Sequence, residues 1–487
     1  MNRMKPCAEF FWRSHPLNKR TGSDIFDALF QVQTDPLSSD RPDTKRIATL
    51  LESPYPLPPD SLPAQAVEMA RYSICAGSVR VVDNQVQMWT PQIGEVRSLL
   101  KKMERSKTYP AGRTTIDGTT LDPQLPFMGG WLGWLGYDFA WEVERLPWLK
   151  EDALPFPVAF WYEPAEFAVL DHLEQRLWIA AENTTRLASM TERLAAYESG
   201  AAERVANRTD WDTHSLRFET EQTEFERSVR LAKDHIRAGD VFQVNHSLRF
   251  SAQTDASSWA VYRTLQRINP SPFASYWRSP WGDVVSCSPE RLVHVKDGLA
   301  QTRPIAGTRP RGGTSEEDVR IAKELKGDRK EQAEHIMLVD LERNDLGRVC
   351  QWGSVAVEEL MTVERYSHVM HLVSNVTGEL QAGIAELVAA MFPGGTITGC
   401  PKVRCMEIIE TLEPVRRSLF YGSCGYFDRR GRLDLNILIR TLLMASNTVW
   451  GQVGAGIVAD SQPTKEWDES LQKAKAQLLA LGLQVSK

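Results

Sequence analysis

A mixed α/β or α+β class is what this sequence predicts, and three observations carry that prediction. Helix and strand signals are interleaved through the second half of the chain instead of being segregated. Apolar segments such as 155–171 (PFPVAFWYEPAEFAVLD) are rich in Val, Phe and Tyr, the composition that suits a pleated, half-buried surface. A length of 487 residues with no visible internal repeat exceeds one simple core and fits one large domain or two intimately packed ones.

Along the chain, residues 54–63 (PYPLPPDSLP) read as an irregular loop, too short to separate two folding units. A polar, helical stretch over 185–210 leads to residue 218, where motifs become dense. The soft boundary falls at 200–220, dividing an N-terminal region, 1–215, from a C-terminal region, 216–487. Residues 316–325 and 328–341 read as helices, and Asp328 with Glu331 three positions on has the form of a capping box. Segments 418–426 and 433–444 read as neighbouring strands joined by the turn-like 428–431 (DRRG). Residues 463–481 have helical periodicity, with Pro463 in the first turn.

Bulk properties exclude several classes. A formal charge of −6 with no basic block offers no footprint for nucleic acid or an anionic membrane. Residues 1–14 lack the apolar run of a signal peptide, and no segment is apolar enough to span a bilayer, so the expectation is a cytoplasmic protein. The 7 cysteines are scattered and never spaced C-x-x-C, which suggests neither a disulfide framework nor a zinc site.

Two helices carry candidate chemistry. Glu466, Glu469 and Lys473 share one face of the last helix, a spacing that also fits a solvated face with Glu–Lys pairing. Glu331 and Glu334 share a face of the helix over 328–341, whose apolar side is Ala333, Ile336, Met337 and Leu341. If the two helices meet, they supply the few hard oxygen ligands that Mg²⁺ accepts, leaving positions for water and a substrate carboxylate. The loop 303–313 (RPIAGTRPRGG) offers close backbone approach at Gly307 and a hydroxyl at Thr308, and a purely structural loop would look the same. Residues 392–401 (FPGGTITGCP) precede a helix starting near Lys402, an arrangement that suits a carboxylate or phosphate without specifying one. Neither loop is a Walker A or dinucleotide fingerprint.

Taken in order, CSPERLV (287–293), RPIAGTRPRG (303–312), AEHIMLVDLERNDLGRV (333–349), ERYSHVMHLVS (364–374), FPGGTITGCPKVRCMEIIETLEP (392–414) and GAGIVADS (454–461) resemble the chorismate-binding family. That family includes anthranilate, aminodeoxychorismate, isochorismate and salicylate synthases. The N-terminal half resembles the amine-transferring members more loosely, through LLES (50–53) and GGWLGWLGYD (129–138).

The resemblance implies two large antiparallel sheets packed as a sandwich with helices outside, and it assigns roles residue by residue. Glu334 and Glu469 resemble direct Mg²⁺ ligands, and Glu466 one that acts through water. Glu290 resembles the general acid for the departing C4 hydroxyl, a role that needs a raised pKa. Gly307, Thr308, His371, Thr398, Arg440, Gly454 and Lys473 resemble substrate-contacting positions, with Arg440 and Lys473 matching the charge of chorismate. Without the family, a lone His371 reads as a packing histidine.

Gln243 stands where water-adding members carry a lysine base. A neutral amide does not activate water, so ammonia is the implied nucleophile. No cysteine fits a G-x-C-x-G glutaminase elbow, although Cys424 comes close, so a separate glutamine amidotransferase partner is expected. The loop GGTITG (394–399) and Phe420 resemble the aminodeoxychorismate branch, which aminates at C4. Ala306, where that branch has a lysine, gives PIAGTR, the spelling of the anthranilate branch, which aminates at C2 with loss of pyruvate. The loops place C4 amination first and C2 amination as the alternative. A noncatalytic scaffold would be expected to have lost Glu290, Glu334 and Glu469. Ser53 resembles a tryptophan-binding position, and a helix-end serine is the competing reading.

Overall fold

The Val-, Phe-, Tyr- and Trp-rich segments become strands of two large antiparallel sheets in the computed structural model, which describes residues 10–31, 47–53, 68–106, 115–197, 211–365 and 369–483. The Pro-rich run 54–63 and part of the 364–374 motif, 366–368, lie outside the described residues.

The first sheet is 12-stranded and runs through Ala48–Glu52, Phe273–Ser279, Gly282–Ser288, Thr441–Ala445, Thr448–Ile457 and Gln243–Thr254 in that spatial order. The second is 10-stranded and runs through Ile305–Pro310, Val369–Glu379, Leu299–Thr302, Arg291–Lys296, Leu433–Asn436, Ser423–Asp428 and Gly130–Leu135. Strands from both sides of residue 216 pair in each sheet, 48–52 with 273–279 and 130–135 with 423–428.

The sheets pack face to face as a sandwich, because their inner faces carry the bulkiest apolar side chains. Trp131, Trp134 and Trp161 from the second sheet join Trp277, Val284 and Leu443 from the first in one buried cluster. Trp134 meets Trp277 edge-on, with ring centroids 5.9 Å apart, and the Tyr162 hydroxyl donates across the interface to Thr49 at 2.8 Å. Each such indole buries about 200 Å². At about 25 cal/mol per Å² that stabilises the fold by about 5 kcal/mol per ring as an upper bound.

Helices Gln222–Ala238, Ser258–Ile268 and Pro463–Ala480 cover the outer face of the first sheet, where Phe225, Trp259, Trp467 and Leu478 meet Leu248, Phe250 and Leu442. Helix Arg329–Gly347 lies against the second sheet and sends Val339 and Leu346 into the main cluster. Its N-cap is Asp328, which accepts from the amides of Lys330 and Glu331. Among the described residues no helix is long and apolar enough to cross a membrane.

Two strand expectations need redrawing. Segment 433–444 is not one strand: Leu433–Asn436 belongs to the second sheet and Thr441–Ala445 to the first. Segment 418–426 begins as a turn with Ser418 and Tyr421 at positive φ, and its strand is Ser423–Asp428.

Candidate active site

The site is built where the chain passes between the sheets. Residues 289–290 link strand 282–288 of the first sheet to strand 291–296 of the second, and residues 437–440 make the return crossing. The crossings are tied together: the Ile437 amide donates to the Glu290 carbonyl at 3.0 Å, and the Cys287 amide donates to the Arg440 carbonyl at 3.2 Å. This geometry fixes a carboxyl, Glu290, and a guanidinium, Arg440, side by side.

Glu290 is 6 % exposed, and burial pushes its pKa from 4.5 up to about 7, opposed by Thr396, the Arg440 charge and the Ile305 backbone. Arg440 is half-buried at φ 49° and reaches Asn269 Oδ1 at 3.3 Å. Burial lowers its pKa, opposed by Cys287 and Glu290.

Beside them, Thr308 and His371 are register partners in the second sheet, and the Thr308 hydroxyl meets His371 Nδ1 at 2.9 Å. Burial, then the Arg440 charge, lowers the His371 pKa to about 3, so the imidazole is neutral at physiological pH. The register slips between Ala306 and Thr308, and the extra residue in this bulge is Gly307 at φ +60°. A Cβ there would stand 2.8 Å from Leu325 Cδ1 and 3.0 Å from Glu331 Oε2, so both sterics and backbone select glycine.

The second part of the site grows from strand Gln243–Thr254. Its sequence QVNHSLRF alternates except at His246, which packs on Phe225: Val244, Leu248 and Phe250 enter apolar clusters, while Gln243, Asn245, Ser247 and Arg249 share the opposite face. Gln243 Nε2 donates to Glu334 Oε1 at 2.9 Å, joining this strand to helix 329–347. The neighbouring strand contributes Gly454, whose carbonyl accepts from Lys473 Nζ at 2.9 Å. Lys473 pairs with Glu469 at 2.8 Å on helix 463–480.

Both glutamate helices thus reach the paired strands 243–254 and 448–457, and Lys330 of one helix and Lys473 of the other each act on carboxyls of both. Burial, then Glu331, raises the Glu334 pKa, and burial, then Glu469, raises that of Glu466. The charges of Lys330 and Lys473 oppose the rise at both carboxyls. Among the described residues no group of three or more His, Cys, Asp or Glu side chains is already arranged to hold a metal ion. The donors nonetheless fit a hard divalent cation in kind: crowded carboxylates, two with raised pKa values, beside lysines that supply positive charge. The Lys473–Glu469 pair that would have to yield is half exposed on both sides, and such pairs contribute only about 0–1 kcal/mol.

Two expected residues take other places. Thr398 is fully buried and its hydroxyl donates to the carbonyl of Gly394 at 2.9 Å, inside the Gly-rich loop. It is the Thr396 hydroxyl that lies beside Glu290. Ser53 sits at the end of strand 48–52, not at a helix end, and its hydroxyl donates to the Ala70 carbonyl. Leu51 and Glu52 line a cavity of about 130 Å³ with Pro272, Phe273, Tyr426 and Asn436, separate from the lining of the site above.

Sequence reasoning also missed Asn245 and Glu342. Glu342 is buried on helix 329–347, accepts from Thr302 at 3.3 Å, and has its pKa raised by burial, Asp345 and Glu290. A polar residue inside an otherwise apolar helical stripe was the available signal. Cys424, the nearest match to a glutaminase nucleophile, is buried, with its pKa raised to about 11 by burial.

Residues 70–479 match the model of the family described as chorismate binding enzyme. The chain is 56% identical over 477 residues to an anthranilate synthase component I-like protein of Synechocystis sp., covering 96% of this chain and 91% of that protein. It is 42% identical over 425 residues to aminodeoxychorismate synthase component 1 of Bacillus subtilis, covering 85% and 90%. The crystal structure of anthranilate synthase component I from Streptococcus pneumoniae superposes with a TM-score of 0.71 at 29% identity, covering 90% of this chain and 99% of that one.

Proposed function

The chain belongs to the chorismate-binding enzymes, and from that premise we propose that it adds ammonia to chorismate at C4, giving 4-amino-4-deoxychorismate. The observation that carries amination is Gln243. Its side chain is a neutral amide held by Glu334, at the sequence position where, by resemblance, the water-adding members carry a lysine base. Ammonia needs no such base. Glu290, about half protonated near neutrality, protonates the departing C4 hydroxyl, and the neighbouring Arg440 matches a substrate carboxylate. Neutral His371, fixed by Thr308, borders the same space as a hydrogen-bonding wall.

Glu334 and Glu469 directly, and Glu466 through water, would hold Mg²⁺, which when bound neutralises a carboxylate of the ring substrate. Ammonia comes from glutamine through a partner amidotransferase, since Cys424 is buried and held as a thiol. The cavity lined by Leu51 and Glu52, which precede Ser53 in the chain, is the candidate tryptophan site. The setting of these reactions is cytoplasmic, in para-aminobenzoate and folate synthesis.

The position of amination rests on the loop 394–399 and Phe420, which resemble the C4 branch. A second reading, amination at C2 giving anthranilate and pyruvate, is favoured by Ala306. That residue is buried in strand 305–310 and offers no nucleophile. Lys402, after the Gly-rich loop, pairs with Asp345 and Lys473 with Glu469, so neither replaces one freely. The name of the Synechocystis relative points the same way.

The test is chemical: incubate the protein with chorismate, Mg²⁺ and ammonium, with no lyase added. C4 amination consumes chorismate without anthranilate fluorescence or pyruvate. Strong fluorescence with equimolar pyruvate would overturn it in favour of C2.

A further inference from the structure

Buried polar groups cost free energy unless each finds a hydrogen-bond partner, so the polar face of strand 243–254 can be audited atom by atom. Ser247 meets Glu413 Oε1 and Gln452 Nε2 at 2.7 Å each, and Arg249 donates to Gln452 Oε1 at 3.0 Å. Nearer the strand's start two buried acceptors stay unmatched. Gln243 and Asn245 are 3 % and 9 % exposed, and each has committed its NH₂ group: Gln243 Nε2 to Glu334, and Asn245 Nδ2 to the Thr396 carbonyl at 3.3 Å. Both partners are acceptors, which sets the direction in which each amide faces. The two carboxamide oxygens, Gln243 Oε1 and Asn245 Oδ1, are buried and have no hydrogen-bond partner among the described residues.

Room for these side chains comes from the facing strand. A Cβ on Gly456 would stand 2.2 Å from Gln243 Nε2, and one on Gly454 would stand 3.0 Å from Asn245 Oδ1. Residues two apart on a strand point to the same side, so both amides flank the G-A-G segment, with the Tyr421 hydroxyl close to Gly454 as well. Two buried acceptors without partners favour a ligand that brings donors. Chorismate offers a single hydroxyl donor among two carboxylates and an ether oxygen, so it satisfies at most one of the two acceptors. Ammonia brings three N–H donors.

We propose that Asn245 is a nucleophile-positioning residue whose carboxamide oxygen, with that of Gln243, forms a seat for the incoming ammonia. The seat rests on the amination reading above, and its test separates the two. Ammonium and chorismate are varied independently with the unmodified protein, Asn245→Ala and Asn245→Gln. Asn245→Ala raises the KM for ammonium about tenfold, as expected for a lost hydrogen bond. It leaves the KM for chorismate within about twofold, and Asn245→Gln recovers part of the ammonium affinity. If Asn245→Ala does not fold, Asn245→Leu, close in shape to the amide but lacking its oxygen, carries the same measurement. An unchanged ammonium KM, or a chorismate KM that rises in step with it, overturns the seat while amination stands. No ammonium-dependent turnover by the unmodified protein overturns both.

Discussion

Replacing Glu290 by Gln separates chemistry from stability, because the structure predicts opposite effects on the two. The carboxyl is buried, with a pKa of about 7 against 4.5 in the open chain. As a general acid it must carry its proton, so kcat/KM falls above about pH 7, by about tenfold for each further pH unit. The amide of the Glu290→Gln variant has no acidic proton at any pH, and the expected loss is about 10²–10⁴-fold across the whole range.

Stability moves the other way. A carboxyl whose folded pKa is raised binds more protons in the folded state, so its contribution is most favourable below the unfolded pKa and is lost as pH rises through the folded one. Here the window runs from 4.5 to about 7 and spans about 3 kcal/mol. Glu290→Gln removes that penalty, so denaturant unfolding at pH 8 shows the variant more stable than the parent, with the difference closing at pH 5. The assays are initial rates of chorismate loss against pH and urea midpoints at the two pH values. A variant that keeps a tenth of the activity at pH 7, or a parent with no alkaline limb near 7, would refute the reasoning.

Gly307→Ala combines a left-handed backbone with a Cβ 2.8 Å from Leu325, so it should lower stability by about 1–2 kcal/mol and displace Thr308 from His371. Unfolding measurements and the KM for chorismate check this, and an unaltered pair of values counts against the bulge as a site element. Calorimetric titration with tryptophan should show saturable heat that Ser53→Ala weakens through lost anchoring of the strand end to Ala70, and silence would remove that ligand from the account.

How much of this was legible beforehand varies by element for physical reasons. Helix Pro463–Ala480 announced itself through an N-terminal proline and an unbroken period, and the expected span 463–481 matches within a residue. Helix Arg329–Gly347 runs past the expected end at Leu341, because buried Glu342 and Asp345 interrupt the apolar stripe that pattern reading follows. The crossing at 437–440 gave no Gly or Pro signal. The left-handed turn at Arg440 depends on tertiary packing, so two strands read as one. Glu290, Gln243, Arg440 and Lys473 came from motif resemblance, whereas periodicity alone left Glu466 and Glu469 as a solvated face. Thr396 and Asn245 emerged only when the Gly-rich loop was seen folded over strand 243–254.

The most direct test asks whether Glu334 and Glu469 act as one site. The Mg²⁺ dependence of chorismate consumption is measured for Glu334→Gln, Glu469→Gln and the double variant, with circular dichroism confirming the fold. If the two helices hold one cation, each single change abolishes the Mg²⁺ response and the double variant is no worse than either. Losses that are partial and multiply in the double variant would place the carboxylates in independent roles and contradict the account.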